Sequence, residues 1–158
     1  MVNAKSTIPV GLSTVTAFLT VKDVRKAVAF YKKAFNAQEI SVMEIDGRVM
    51  HGQIRIGNSA IYMGEECAEM NKLSPESRGF ATSSLYLYVD DVDAAFAQAV
   101  DAGCKVCMPV SDMFWGDRYG HVTDPFGQEW SIATHKEDLS PAEIEAKFRQ
   151  MSMACSNK

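Results

Sequence analysis

Two stretches of the chain alternate apolar and polar positions with a period of two, then switch to a period near 3.6. Leu19-Thr20-Val21-Lys22-Asp23-Val24 and Leu87-Tyr88-Val89-Asp90-Asp91-Val92 share that switch, and one constant offset carries Leu19 onto Leu87, Val21 onto Val89 and Asp23 onto Asp91. The alternation predicts strands with one buried face, because successive side chains of a strand point to opposite sides. Each Asp stands where its carboxylate can accept from the free N–H groups of a first helical turn, so Asp23 and Asp91 both predict a helix start. Val24, Ala27, Val28, Tyr31, Ala34 and Phe35 then form one apolar stripe, and Val92, Ala95, Phe96, Ala99 and Val100 another. Asn36 and Gly103 sit where a left-handed residue ends a helix.

Three strand-like segments follow each helix. In the first half they span about 38–45, 48–56 and 59–64, with turns at Asp46-Gly47 and Gly57-Asn58; in the second they span about 104–109, 118–123 and 128–134, the last turn being Asp124-Pro125-Phe126-Gly127. The result is an α+β chain of two βαβββ modules, 14–64 and 83–134, in one domain covering 1–158. Residues 65–82, rich in Glu, Asn, Ser and Pro, read as the linker. Ser140-Pro141-Ala142-Glu143 has cap, first-turn proline and capping-box glutamate in order, and predicts a terminal helix over 141–153.

Composition narrows the partners. A net charge of −4 leaves no broad basic surface for phosphate backbones or anionic membranes, so nucleic acid and membrane are not expected partners. No apolar run reaches the roughly 20 residues of a membrane span, and the N-terminus lacks a signal-peptide pattern, so the expected location is the cytoplasm. Four cysteines (Cys67, Cys104, Cys107 and Cys155) are too scattered for a disulfide framework. Cys104 and Cys107 are spaced C-x-x-C, but no second pair exists for zinc and no helix begins after them for redox chemistry, so they read as ordinary strand thiols.

The repeated plan, the strand-Asp-helix opening that runs into Ala29-Phe30-Tyr31, and the Asp124-Pro125-Phe126-Gly127 turn together resemble the vicinal oxygen chelate superfamily of glyoxalase, bleomycin-resistance and dioxygenase proteins. His51-Gly52-Gln53-Ile54-Arg55-Ile56-Gly57 and Phe114-Trp115-Gly116-Asp117-Arg118-Tyr119-Gly120 are similar to its PhnB-like branch. The likeness runs from about Thr14 to Thr134. It implies that the modules form a curved mixed sheet whose concave face is a pocket, with helices on the convex side, and that two chains pair as a homodimer. Alternation assigns the faces: Thr16, Phe18, Thr20, Ser84, Tyr86, Tyr88, Glu129 and Ser131 fall on the pocket side. Ala17, Leu19, Val21, Leu85, Leu87, Val89, Trp130 and Ile132 fall under the helices. His51 and Gln53 alternate with Met50, Gly52 and Ile54, and Tyr119 and His121 with Gly120 and Val122.

Where superfamily members hold a divalent metal, the resemblance places the four ligand positions on Thr16, about Tyr62, Ser84 and Ser131. Hydroxyls and phenols compete poorly with imidazole and carboxylate for such ions, so no cofactor and no metal is expected here. His51, His121 and Glu129 would suit a divalent metal only by converging. His135, at a strand end, reads as a surface residue. The rings of Phe114, Trp115 and Tyr119 around Gly116-Asp117-Arg118 point instead to an aromatic wall beside a charge, which suits planar or amphipathic small ligands. The expected ligand-binding set is Phe18, His51, Gln53, Tyr62, Tyr86, Phe114, Trp115, Arg118, Tyr119 and His121. The expected function is binding of a small organic molecule. The alternative is a lyase, isomerase or dioxygenase that is metal-dependent or uses His51 or His121 as a catalytic base.

Overall fold

The computed structural model describes residues 6–156, with side chains through Ser152; the Cys155 side chain lies outside this range. Two βαβββ modules follow one another. The first is β1 (Ala17–Val21), α1 (Val24–Phe35), β2 (Gln38–Ile45), β3 (Arg48–Ile56) and β4 (Ser59–Glu65). After a 3₁₀ turn (Ala68–Met70) and the one-turn helix α2 (Pro75–Arg78), the second is β5 (Ser84–Tyr88), α3 (Val92–Ala102), β6 (Lys105–Asp112), β7 (Asp117–Thr123) and β8 (Glu129–His135). The terminal helix α4 covers Pro141–Ser156. Among the described residues no helix is long and apolar enough to cross a membrane.

The helix ends are set by the expected residues. Asp23 accepts from the Lys26 amide at 2.9 Å and Asp91 from the Ala94 amide at 3.0 Å. Asn36 closes α1 with φ 54°, a left-handed value that asparagine tolerates better than most side chains. Ser140 and Glu143 form the reciprocal capping box of α4: the serine hydroxyl and amide donate to Glu143, and the Glu143 amide donates back to the serine Oγ.

Each module has its own four-stranded mixed sheet, ordered β1-β4-β3-β2 and β5-β8-β7-β6. The first and fourth strands of each pair in parallel, as the helical crossover requires, and the others pair antiparallel. One face assignment fails locally. Met43 pairs with His51 but Glu44 pairs with Val49, so Met50 is an extra residue in a β-bulge. The bulge flips the alternation, burying Val49 and leaving Met50 exposed, whereas unbroken alternation groups Met50 with Gly52 and Ile54.

Helices α1 and α3 lie against each other, with the Gln98 side-chain amide donating to the Lys33 carbonyl at 2.8 Å. Phe35 and Tyr31 of α1 cross into the second module and meet Trp130, at 4.4 and 5.4 Å between ring centroids. Trp130 is 1% exposed. Beneath this cluster the buried Asp124 accepts four hydrogen bonds, from the Tyr31 hydroxyl, the Trp130 indole and the amides of Phe126 and Gln128. Burial pushes its carboxyl up in spite of those donors. The Asp-Pro-Phe-Gly turn is therefore also the polar pin between the modules.

Within 65–82, Glu66 accepts from Ser74 and Ser77, and the Ser74 residue is fully buried. Lys22 reaches Glu76 at 2.9 Å and ties this segment to β1. Helix α4 rests its Phe148 on Phe114, 5.2 Å between centroids, and Lys147 pairs with Glu137.

Candidate functional site

On β8, Trp130 and Ile132 turn under the helices, so Ser131, Ala133 and His135 project from the open face. Ser131 and Ala133 are small, and larger side chains from both neighbouring strands close over them. Tyr86 and His121 flank Ser131 in register, while Tyr88 and Tyr119 flank Ala133. Tyr86 lies 5.0 Å from Tyr88 and 5.7 Å from Tyr119, and Trp115 lies 5.7 Å from Tyr119. Tyr86 and Tyr88 remain 47% and 59% exposed.

Asp117 sits under these rings, 4% exposed. Its Oδ2 accepts from the hydroxyls of Tyr88 (2.9 Å) and Tyr86 (3.2 Å) and from the Trp115 indole (3.1 Å). Its Oδ1 lies 2.8 Å from His135 Nδ1. Burial alone pushes the carboxyl up, but hydrogen bonds from His135, Tyr88, Trp115 and Tyr86 outweigh it and hold Asp117 below its usual range. The same contacts act in reverse on their donors. The bond to Asp117 raises His135, whose Nε2 also meets Asp138 at 3.0 Å, and burial raises the phenols of Tyr86 and Tyr88.

Beside this centre runs a hydroxyl and imidazole network. Ser131 Oγ is 3.0 Å from the Tyr119 hydroxyl, 3.2 Å from Ser84 Oγ and 3.3 Å from His121 Nδ1, and His121 Nε2 lies 3.5 Å from Glu129. The open face of the first module is built around ring contacts. His51 meets Tyr62 edge-on at 4.7 Å and Phe18 at 6.4 Å, with Gln53 and Phe18 both in register with Tyr62. Phe18, 53% exposed, lies over Gly64, where an added Cβ would fall 2.9 Å from the ring.

A family profile described as the Glyoxalase/Bleomycin resistance protein/Dioxygenase superfamily matches residues 12–132. The chain belongs to that superfamily. An uncharacterised protein of Mycobacterium tuberculosis is 37% identical over 132 residues, covering 81% of this chain and 78% of that protein. Among solved structures, a gene product of Arabidopsis thaliana superposes with a TM-score of 0.63 at 28% identity, over 77% of this chain and 98% of its own. A PhnB protein from Bacillus cereus, described as a putative 3-demethylubiquinone-9 3-methyltransferase, does so with a TM-score of 0.60 at 18% identity, over 77% and 99% of the two chains. Membership brings with it the superfamily's general role of binding small molecules.

The superfamily's metal positions do not fit a divalent ion here. Thr16, Tyr62, Ser84 and Ser131 offer hydroxyls, and those of Ser84 and Ser131 are engaged with each other. Among the described residues no group of three His, Cys, Asp or Glu side chains is placed to hold a metal. His121 and Glu129 meet, but His51 does not join them; it belongs to the other sheet and packs on Tyr62.

Of the remaining expected residues, Tyr86, Trp115, Tyr119 and His121 are brought together on the second module, and Phe18, His51, Gln53 and Tyr62 on the first. Two do not join them. Arg118 alternates to the helix side of β7, where it forms a two-bond pair with Asp93 and a further bond to Asp112 at 3.1 Å. Phe114 stands edge-on to Trp115 and turns its ring toward Phe148 of α4. Asp117, Tyr88 and His135 belong to the cluster and are absent from the expected set. The first two share strand parity with Tyr119 and Tyr86, a signal present in the sequence. His135, expected at the surface, is half-exposed but tied to Asp117.

Proposed function

We propose that this protein binds a small organic molecule on the open face of its second module, against Tyr86, Tyr88, Trp115 and Tyr119, without the metal that other superfamily members use. The observation that carries this reading is the half-exposed array of rings held in place from below by the buried Asp117. Aromatic surface fixed by polar atoms loses little conformational freedom on binding. The first-module residues Phe18, His51, Gln53 and Tyr62 form the second half of the ligand surface when the two open faces are brought into one curved sheet with a concave pocket.

In this reading the chain lies in the PhnB-like branch, supported by the two quoted motifs and by the fold likeness to the Bacillus cereus protein. It works in the cytoplasm as a homodimer. β1 and β5 are each one of the two outer strands of their sheet, and a cleft of about 570 Å³ lies between them, lined by Ala17, Ile61, Leu85 and Leu87 among others. Free strand edges beside apolar side chains favour pairing with a second chain.

The His121 network favours a second reading, a His-based lyase or isomerase. An imidazole held by Glu129 on one nitrogen and by hydroxyls on the other has the arrangement of a general base. Titration of a panel of planar aromatic compounds, followed through the two indole N–H signals, tests the binding reading. The Trp115 signal is expected to shift on saturation and the Trp130 signal to stay fixed. A panel that moves neither, or only Trp130, refutes the site.

A further inference from the structure

The ring cluster has an unusual polarity: every polar atom of its upper layer points inward. The Tyr86 and Tyr88 hydroxyls and the Trp115 indole N–H are all directed at Asp117, and the Tyr119 hydroxyl at Ser131 and His121. What the rings leave for a ligand is carbon surface, with no donor to spare for a carboxylate, phosphate or sulfonate. Phenols that donate to a carboxylate gain electron density, which strengthens the negative potential over their ring faces.

The fixed charges agree. Asp117 is held below its usual range, and its neighbour His135 is shared with Asp138, so that trio keeps a net negative charge even when the imidazole is protonated. Arg118 is turned to the opposite face and paired with both Asp93 and Asp112. Lys136 follows β8 onto that side too, where it acts on Asp93. Glu129 adds a half-exposed carboxylate at the edge beside His121. A cation placed over these rings meets their negative faces and a buried anion beneath them, whereas an anion finds no donor on the rings themselves and, in His135, an imidazole already flanked by two carboxylates.

We infer that the ligand taken by this face is an organic cation, a quaternary or protonated amine carried on a small or planar apolar body. The inference rests on the proposed binding site and adds the sign of its charge. Three soluble probes of similar size separate the two: the cation N,N,N-trimethylanilinium, neutral benzyl alcohol and anionic benzoate. Each is titrated into the full-length protein and followed by the Trp115 indole N–H signal. Trimethylanilinium is expected to bind about 5- to 30-fold tighter than benzyl alcohol, the range of a desolvated cation–π contact, and benzoate more weakly than either. In Asp117→Asn, which keeps the shape and removes the charge, the preference for the cation should shrink at least threefold. Equal affinity for cation and neutral probe, preference for benzoate, or an undiminished preference in folded Asp117→Asn overturns the charge inference and leaves small-molecule binding intact. If no probe moves Trp115, both fail. Should Asp117→Asn not fold, the ranking of the three probes by the unaltered protein decides alone.

Discussion

Replacing Trp130 by alanine tests whether the two tryptophans play the different parts that the packing gives them. Trp130 is 1% exposed, its ring lies 4.4 Å from Phe35 and 5.4 Å from Tyr31, and its indole donates to the buried Asp124 at 3.0 Å. Truncation removes a large buried surface and leaves a cavity, worth about 3 to 5 kcal/mol, and withdrawing a donor from a buried carboxylate adds about 1. For a chain of this length a loss of about 4 to 6 kcal/mol lowers Tm by on the order of 10 to 20 °C. Trp115→Ala removes a partly exposed ring on a loop and one of four donors to Asp117, a loss of about 1 to 2 kcal/mol and a few degrees. Thermal melts by circular dichroism, with urea titrations as a second measure, give both numbers. The ligand panel should then lose affinity in Trp115→Ala by about 1 to 3 kcal/mol, the range for an interface anchor. Equal destabilisation by the two substitutions makes Trp115 a core residue and refutes the assignment of its loop to the binding face.

The Asp117–His135 pair predicts a pH signature. Asp117 is lowered from 3.8, so its contribution is present above that value and fades as pH falls through the folded value; His135 is raised from 6.5, so its contribution is complete below that value and is lost as pH rises through the folded one. The stability difference between the protein and His135→Gln should therefore be largest between about pH 4.5 and 6 and shrink toward pH 9, and urea titrations showing a difference that grows with pH would contradict the pair. Chelator treatment should leave Tm unchanged, because the four superfamily ligand positions carry hydroxyls; a fall of several degrees, as expected when an ion bound only to the native state is removed, refutes the metal-free reading. Sedimentation at micromolar concentration should show a species of twice the 17.4 kDa chain mass, and a lone monomer would rule out the homodimer.

Most of the fold was legible because the signals that specify it are local. The strand-to-helix switch at Asp23 and Asp91 needs only a change of period and a capping side chain, and the offset between the two copies made each confirm the other. The Met50 bulge was not legible, since one inserted residue in β3 is defined by its pairing with β2 and leaves no compositional mark. The site divides along the same line. Alternation put Tyr86 and Tyr88 on the open face and set Tyr119 and His121 on one parity of β7; Asp117 shares that parity, but in the sequence it reads only as part of the charged turn with Arg118. In a strand such neighbours point to opposite faces, and here they carry their charges to opposite sides of the sheet: Arg118 to Asp93 and Asp112, Asp117 to a layer of rings and an imidazole. Trp115 is conspicuous in the sequence, yet the negative charge that holds it together with Tyr86 and Tyr88 is visible only when β5, β7 and β8 are in register. If the face is the proposed binding site, the sign of that charge, more than the number of rings, sets which ligands it holds.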